Sequence, residues 1–102
     1  MKFGISDPAL EQITAVFKSV SAIDKVILFG SRAKGSYKTG SDIDIALIGN
    51  NLDISTLSKI DLLLDDLNLP FTFDVLIYTR IENPDLIDHV RRVGVVLYER
   101  EQ

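Results

Sequence analysis

The sequence predicts an α/β (α+β) fold in which helices pack mainly on one face of a small mixed β-sheet. Strand-like and helix-like segments alternate along the chain, which is the order expected of such a fold. The predicted strands are few and short, so the sheet is small. Two of the strands carry aspartates on one face, and part of that face must therefore remain uncovered by helices.

Length and composition narrow the possible classes of protein. The 102 residues suit one domain spanning residues 1–102, and 46% hydrophobic with 25% charged residues is typical of a folded globular chain. The lack of both a long apolar run and a signal peptide predicts a cytoplasmic location. The absence of cysteine excludes disulfides and thiolate chemistry. A net charge of −4 argues against neutralising a nucleic-acid backbone over a broad face, so phosphate recognition must be local.

The first half of the chain predicts one helix and two strands. Asp7 as N-cap and Pro8 at the first helical position, followed by apolar residues at helical spacing, predict a helix over residues 8–20. The apolar run 25–29, ended by Gly30, predicts a strand covered on both faces. After a polar loop over residues 30–41, the alternating segment 42–48 predicts a second strand.

The second half repeats the alternation of helix and strand. An amphipathic pattern over residues 54–67, stopped by Pro70, predicts a helix whose aspartates form its wet side. Alternation over residues 71–78 predicts a third strand. Asn83 and Pro84 predict the start of a last helix that Gly94 ends, before a short apolar run at 95–97 that forms a terminal strand or turn.

Three aspartates on the predicted strands are candidate metal ligands. Asp42 and Asp44, at positions i and i+2, project from one face with backbone positions about 6.7 Å apart. Asp74 lies on the third strand, between apolar neighbours. Like charges so close repel one another, and a divalent cation is the natural compensation. Oxygen-only ligands favour Mg²⁺ or Mn²⁺ over zinc.

Two such cations about 3.5–4 Å apart would favour phosphoryl or nucleotidyl transfer, because one activates the attacking oxygen and the other neutralises the leaving oxygen. The alternative is that Asp42 and Asp44 line a solvated strand edge, which an isolated acid pair does not exclude.

Gly30 and Ser31 form a candidate phosphate-binding turn at the end of a buried strand. Glycine allows the backbone to approach a phosphate, and Ser31 offers an N–H and a hydroxyl. Arg32 and Lys34 add positive charge beside the turn. The alternative is a plain strand-to-helix turn with solvated basic residues. The combination of this turn, the acid pair and a third acid on a later strand favours the functional interpretation.

The run Gly30-Ser31-Arg32-Ala33-Lys34-Gly35, followed by Ser41-Asp42-Ile43-Asp44-Ile45, resembles the signature of the polymerase-β-type nucleotidyltransferase superfamily. The strand of Asp74 and the closing residues 94–99 are similar to its minimal nucleotidyltransferase branch, so the resemblance covers most of the chain. It implies a polymerase-β-palm-like fold.

The resemblance also implies roles for individual residues. Asp42 and Asp44 would bind two Mg²⁺ ions, and Asp74 would complete the metal site near the nucleophile. Gly30 and Ser31 would hold the triphosphate of ATP.

Two basic residues follow the turn. Arg32 would assist with phosphate charge, and Lys34 stands where this branch commonly has arginine. Lysine lacks the guanidinium fork, but the difference leaves the predicted metal site untouched.

The minimal branch resembles antitoxins that pair with a HEPN-domain ribonuclease toxin, and this resemblance leaves three functions open. The first is an adenylyltransferase antitoxin that transfers AMP from ATP to a toxin tyrosine. The second is an antitoxin that masks the toxin sterically without catalysis. The third is a nucleotidyltransferase acting on a small molecule or RNA. The chain has little room for an acceptor-binding domain, so we expect a partner to bring the acceptor.

Other distinctive residues have structural interpretations. We expect His89, the only histidine, to be solvated or to cap the last helix. Phe71 and Phe73 alternate with strand spacing and are predicted to be core residues. Tyr37, in the polar loop, is the better candidate for contact with a nucleotide or partner.

Overall fold

The structure is a computed structural model that describes residues 1–101. Four helices and four strands alternate along the chain, in the order α1 (Asp7–Lys18), β1 (Ile23–Phe29), α2 (Gly30–Lys34), β2 (Ile43–Gly49), α3 (Ile54–Asp65), β3 (Phe73–Ile77), α4 (Pro84–Val93) and β4 (Val95–Glu99). A 3-10 turn, Tyr78–Arg80, links β3 to the loop before α4.

The four strands form one mixed sheet in the order β3-β2-β1-β4. β1 pairs antiparallel with both β2 and β4, whereas β2 and β3 are parallel. The parallel pairing requires a crossover, and α3 provides it. β1 and β2 are therefore the internal strands, and the mixed sheet expected from the sequence is confirmed.

The larger core lies between one face of the sheet and the two longest helices. Residues at alternate positions of β2, such as Ile43 and Ile45, are fully buried there with Phe17 of α1 and Ile60 of α3. The alternation predicted for residues 71–78 is also seen, since Phe73 packs against this core. Phe71 does so as well, so both phenylalanines pack against the core as expected, each of them partly buried.

A smaller core covers part of the other face of the sheet. Phe29 and Ala46 from the sheet pack there with Val90 of α4. α4 therefore covers only part of this face, while α1 and α3 occupy the opposite one. β1 contributes Leu28 to the larger core and Phe29 to the smaller one, which confirms the prediction of a strand covered on both faces.

Two local predictions are wrong. The N-cap of α1 is Ser6, whose hydroxyl accepts from the backbone N–H of Ala9 at 3.3 Å, and Asp7 is already helical. The polar loop predicted over residues 30–41 begins with the five-residue helix α2, which ends at Gly35 in the left-handed conformation (φ 87°). A five-residue helix is too short for a hydrophobic period to show it. Within the described part of the chain, no helix is long and apolar enough to cross a membrane.

Candidate active site

Asp44 and Asp74 lie side by side on neighbouring strands. They are register partners in the parallel pair β2 and β3, so their backbones are about 4.8 Å apart and their side chains leave the same face of the sheet. Asp44 is half-buried and Asp74 is exposed. Residues 30 positions apart in sequence thus present two carboxylates at one end of the sheet.

Asp42 adds a third carboxylate at the same end. It is exposed and lies one residue before β2 begins, two positions from Asp44. Its charge reaches Asp44, as does that of Asp74. The alternative of a solvated sheet edge does not describe Asp44, because β2 lies between β1 and β3.

The acidic end of the sheet makes ionisation of Asp44 unfavourable. Burial raises the pKa of Asp44 above its ordinary value of 3.8, and the charges of Asp74 and Asp42 raise it further. The charge of Arg32 lowers it in part. A cation placed among these carboxylates would relieve the repulsion that Asp44 experiences.

The donor set fits a hard divalent cation, since all three carboxylates offer only oxygen. Among residues 1–101, no three His, Cys, Asp or Glu side chains are placed so that together they could hold a metal ion. The three aspartates thus lie at one end of a sheet face, but their carboxylates do not converge on a common metal position.

The turn at Gly30 lies directly against Asp44. Phe29, the last residue of β1, is the register partner of Asp44, and Gly30 follows it with φ 76°. A Cβ atom at Gly30 would collide with Oδ2 of Asp44. Both the left-handed backbone and the contact therefore require glycine. Ser31 follows, half-buried, in the first turn of α2, so the structure brings the predicted turn and the carboxylates together.

His89 belongs to the same end of the sheet, contrary to the expectation of a solvated or capping residue. Its Nε2 accepts a hydrogen bond from the backbone N–H of Gly30 at 3.0 Å. Its ring also packs edge-on against Phe29, with centroids 6.1 Å apart. A signal was present in the sequence, because His89 follows Leu86 by three residues and therefore lies on the apolar side of α4.

Arg32 is not placed to contact a phosphate, which corrects the role that the family resemblance implied for it. The residue is 3% exposed. Its guanidinium donates to the carbonyl oxygen of Ser41 at 2.8 and 3.1 Å and to that of Phe3 at 2.9 Å. Tyr37 and Phe71 pack on the guanidinium, with ring centroids 5.3 and 5.0 Å from Cζ. Arg32 therefore links the backbone at Phe3 to the backbone at Ser41, next to the acid pair.

The partners of Arg32 also locate two other predicted residues. The ring of Tyr37 packs on the guanidinium of Arg32, although Tyr37 is 36% exposed. Lys34 is exposed at the end of α2. Nothing in the sequence distinguished Arg32 from Lys34, because burial of a basic residue depends on carbonyl partners that are distant along the chain.

A mixed sheet with acids on two adjacent strands and a glycine turn at the end of a third defines the nucleotidyltransferase class of fold. The family described as "Polymerase beta, Nucleotidyltransferase" matches residues 11–102. The chain belongs to this family.

A curated relative and two solved structures show what the chain is similar to. A Haemophilus influenzae protein named "Probable protein adenylyltransferase MntA" is 33% identical over 75 residues, or 72% of this chain. The match spans 65% of the length of that relative.

The solved structures support the fold. A crystal structure of a toxin–antitoxin with AMP-PNP has a TM-score of 0.72 and 23% identity, covering 91% of this chain and 75% of that one. A tri-AMPylated Shewanella oneidensis HEPN toxin in complex with an MNT antitoxin has a TM-score of 0.68 and 19% identity, covering 94% and 74%. At these identities the likeness establishes the same architecture.

Proposed function

We propose that this protein is a Mg²⁺-dependent adenylyltransferase that transfers AMP from ATP to a partner HEPN toxin and thereby acts as an antitoxin. The observation that carries the proposal is the pairing of Asp44 with Asp74 directly beside the Gly30 turn. The name of the Haemophilus influenzae relative supports adenylyl transfer to a protein. The structural likeness to an MNT antitoxin bound to an AMPylated HEPN toxin supports the choice of partner.

In the proposed reaction, a tyrosine oxygen of the toxin forms a bond to the α-phosphorus of ATP. The bond from that phosphorus to the bridging oxygen of the β-phosphate breaks, and pyrophosphate leaves with the electron pair. The tyrosine proton passes to a base or to water. Mg²⁺, held by Asp42, Asp44 and Asp74, would supply charge neutralisation for the attacking and leaving oxygens.

The chain's own residues prepare this site in two ways. Gly30 leaves space for the Asp44 carboxylate beside the turn, so a phosphate held at Gly30 and Ser31 lies next to the acids. At the start of α2 the backbone N–H groups that follow Gly30 lack partners within the helix, whereas the N–H of Gly30 itself donates to His89. Phosphate recognition thus rests on the backbone and the Ser31 hydroxyl, and Arg32 supports it only indirectly.

The proposal is tested by incubating the protein with its co-expressed HEPN partner, Mg²⁺ and ATP labelled at the α-phosphate. The partner should become labelled, and Asp44→Asn should abolish the label. Asp61→Asn is the matched control, because Asp61 is an exposed carboxylate on α3, which packs on the opposite face of the sheet. An intact complex that gives no label would refute adenylyl transfer to the partner.

The same variants separate the alternative functions. An antitoxin that only masks its toxin would still protect cells as the Asp42→Asn/Asp44→Asn double variant, whereas a catalytic antitoxin would not. Label on RNA or a small molecule, with none on the partner, would indicate the third function.

Two further predictions from the sequence stay predictions: that residues 1–102 form one domain, and that the protein is located in the cytoplasm.

A further inference from the structure

We infer that His89 is a positioning residue for the nucleotide-binding turn: its Nε2 fixes the Gly30 amide and couples α4 to the site. The inference rests on the proposed function, since it assigns His89 a part in holding the triphosphate. His89 lies 59 residues from Gly30 in sequence, and no other hydrogen bond between side chain and backbone joins α4 to the turn in the described residues.

The hydrogen bond shows which ring nitrogen of the imidazole acts as the acceptor. Gly30 N–H donates to Nε2 at 3.0 Å, a typical length for such a bond. An accepting Nε2 carries no proton, so a neutral His89 carries its proton on Nδ1. The edge-on contact with Phe29, at an interplanar angle of 81°, holds the ring in this orientation.

The amide that donates to His89 belongs to Gly30, the residue at which the turn begins. Gly30 begins α2, where a backbone N–H has no partner within the helix. Its left-handed φ of 76° sets the direction in which Ser31 and the rest of α2 leave β1. Glycine adopts many other conformations at little cost, so this one needs an external contact to keep it.

His89 and Asp44 hold Gly30 from two directions. Asp44 closes one side, because any Cβ there would meet its carboxylate. His89 closes the other through the N–H. The anchor of His89 is firm, since the next residue, Val90, is 2% exposed in the smaller core. Loss of the imidazole acceptor should leave the fold intact and allow the turn to sample other conformations.

The experiment measures binding of AMP-PNP with Mg²⁺ by calorimetry to the full chain and to three variants. His89→Leu removes the acceptor and should raise Kd about three- to tenfold, the value of one hydrogen bond. His89→Gln keeps an acceptor near the Nε2 position and should restore most of the affinity. Arg91→Gln, an exposed neighbour on α4, should bind as the unaltered protein does. Circular dichroism checks that each variant is folded.

A nitrogen NMR spectrum of the histidine ring provides a readout that does not depend on nucleotide. In the neutral ring it should show the proton on Nδ1, and the Gly30 amide should exchange faster in His89→Leu. A proton on Nε2, or unchanged affinity in His89→Leu, would overturn the inference while leaving the proposed function intact. Tighter binding by His89→Leu would also overturn it, since His89 would then compete with phosphate. If the unaltered protein binds no nucleotide, the proposed function fails first, and the assigned role of His89 fails with it.

Discussion

Ionisation of Asp44 opposes folding of the metal-free protein. Burial, then Asp74 and Asp42, raise its pKa above 3.8, so the folded state binds this proton more tightly than the unfolded state. The resulting contribution to stability is complete below the unfolded pKa of 3.8 and is lost as pH rises through the raised folded pKa. At neutral pH the ionised carboxylate therefore costs stability that only a cation recovers.

Asp44→Asn should consequently make the metal-free protein more stable at pH 7, and the gain should shrink as the pH falls towards 3.8. Urea unfolding of both proteins with a chelator present, at several pH values, measures the difference. The same variant should lose transfer activity about 100-fold or more, because a metal ligand is worth several kcal/mol in the transition state. A less stable Asp44→Asn at pH 7 would contradict the electrostatic argument.

Gly30 and Gly35 form a matched pair for testing the turn. Both have left-handed φ values, 76° and 87°, but a Cβ at Gly35 meets nothing within 4 Å whereas one at Gly30 meets Asp44. Gly35→Ala should cost about 1–2 kcal/mol in unfolding free energy from backbone strain alone. Gly30→Ala should cost more, and should lower transfer activity about 100-fold by displacing the Asp44 carboxylate.

Unfolding and labelling assays on the two alanine variants separate strain from collision. Equal activity losses in the two would show that displacement of Asp44 is not what glycine prevents at position 30.

At the scale of elements, Arg32 joins segments that have no secondary structure of their own. It ties Phe3, before α1, to Ser41, just before β2, and its aromatic neighbours come from the loop after α2 and from the residues before β3. The carbonyl of Ser41 directly precedes Asp42, so this buried guanidinium fixes the backbone that enters the acid pair.

Arg32→Lys should therefore destabilise the protein by about 1–3 kcal/mol, even though the charge is kept, because lysine lacks the fork that reaches two carbonyls. Thermal or urea unfolding measures the loss, and Lys34→Arg is the control at an exposed position of the same helix. If Arg32→Lys kept its stability but bound nucleotide more weakly, Arg32 would instead contact the phosphate.

Regular elements were predictable because their signals are local. The alternation of acids and aliphatics in β2, and the Asn83-Pro84 start of α4, depend only on neighbouring residues, and the structure confirms both elements. The short α2 was missed because five residues show no helical period. The N-cap of α1 was misplaced by one residue, since Ser6 and Asp7 are both favourable caps.

The site residues, too, were predictable where the signal is local and unpredictable where it depends on residues distant in sequence. Strand alternation predicts that Asp42, Asp44 and Asp74 share one face, and they lie at one end of the sheet; their roles as metal ligands stay predictions. Arg32 and His89 were misjudged because their partners are distant in sequence, Ser41 and Phe3 for the one and Gly30 for the other. A pattern shows which face a residue occupies but not which backbone group it meets there.

At the scale of the whole molecule, the strand order β3-β2-β1-β4 assembles the site. Antiparallel pairing of β1 with β2 brings the end of β1 to the beginning of β2, and parallel pairing places the beginning of β3 beside them. The Gly30 turn and the three aspartates therefore meet at one end of the sheet because of the topology. A ligand that binds both the turn and the aspartates should stabilise the folded state.

Binding of Mg²⁺ and AMP-PNP together should accordingly raise the melting temperature. At a ligand concentration of 100 times Kd the linkage adds about 2.7 kcal/mol, equivalent to about 10–20 °C for a domain of this size. Differential scanning fluorimetry measures the shift. A chelator should remove it and Asp61→Asn should retain it, whereas Asp44→Asn should lose it because the cation is no longer held beside the phosphate. A shift that persists in Asp44→Asn would mean that the Gly30 turn binds the nucleotide alone, and the carboxylates would then act in the transfer step without contributing to binding.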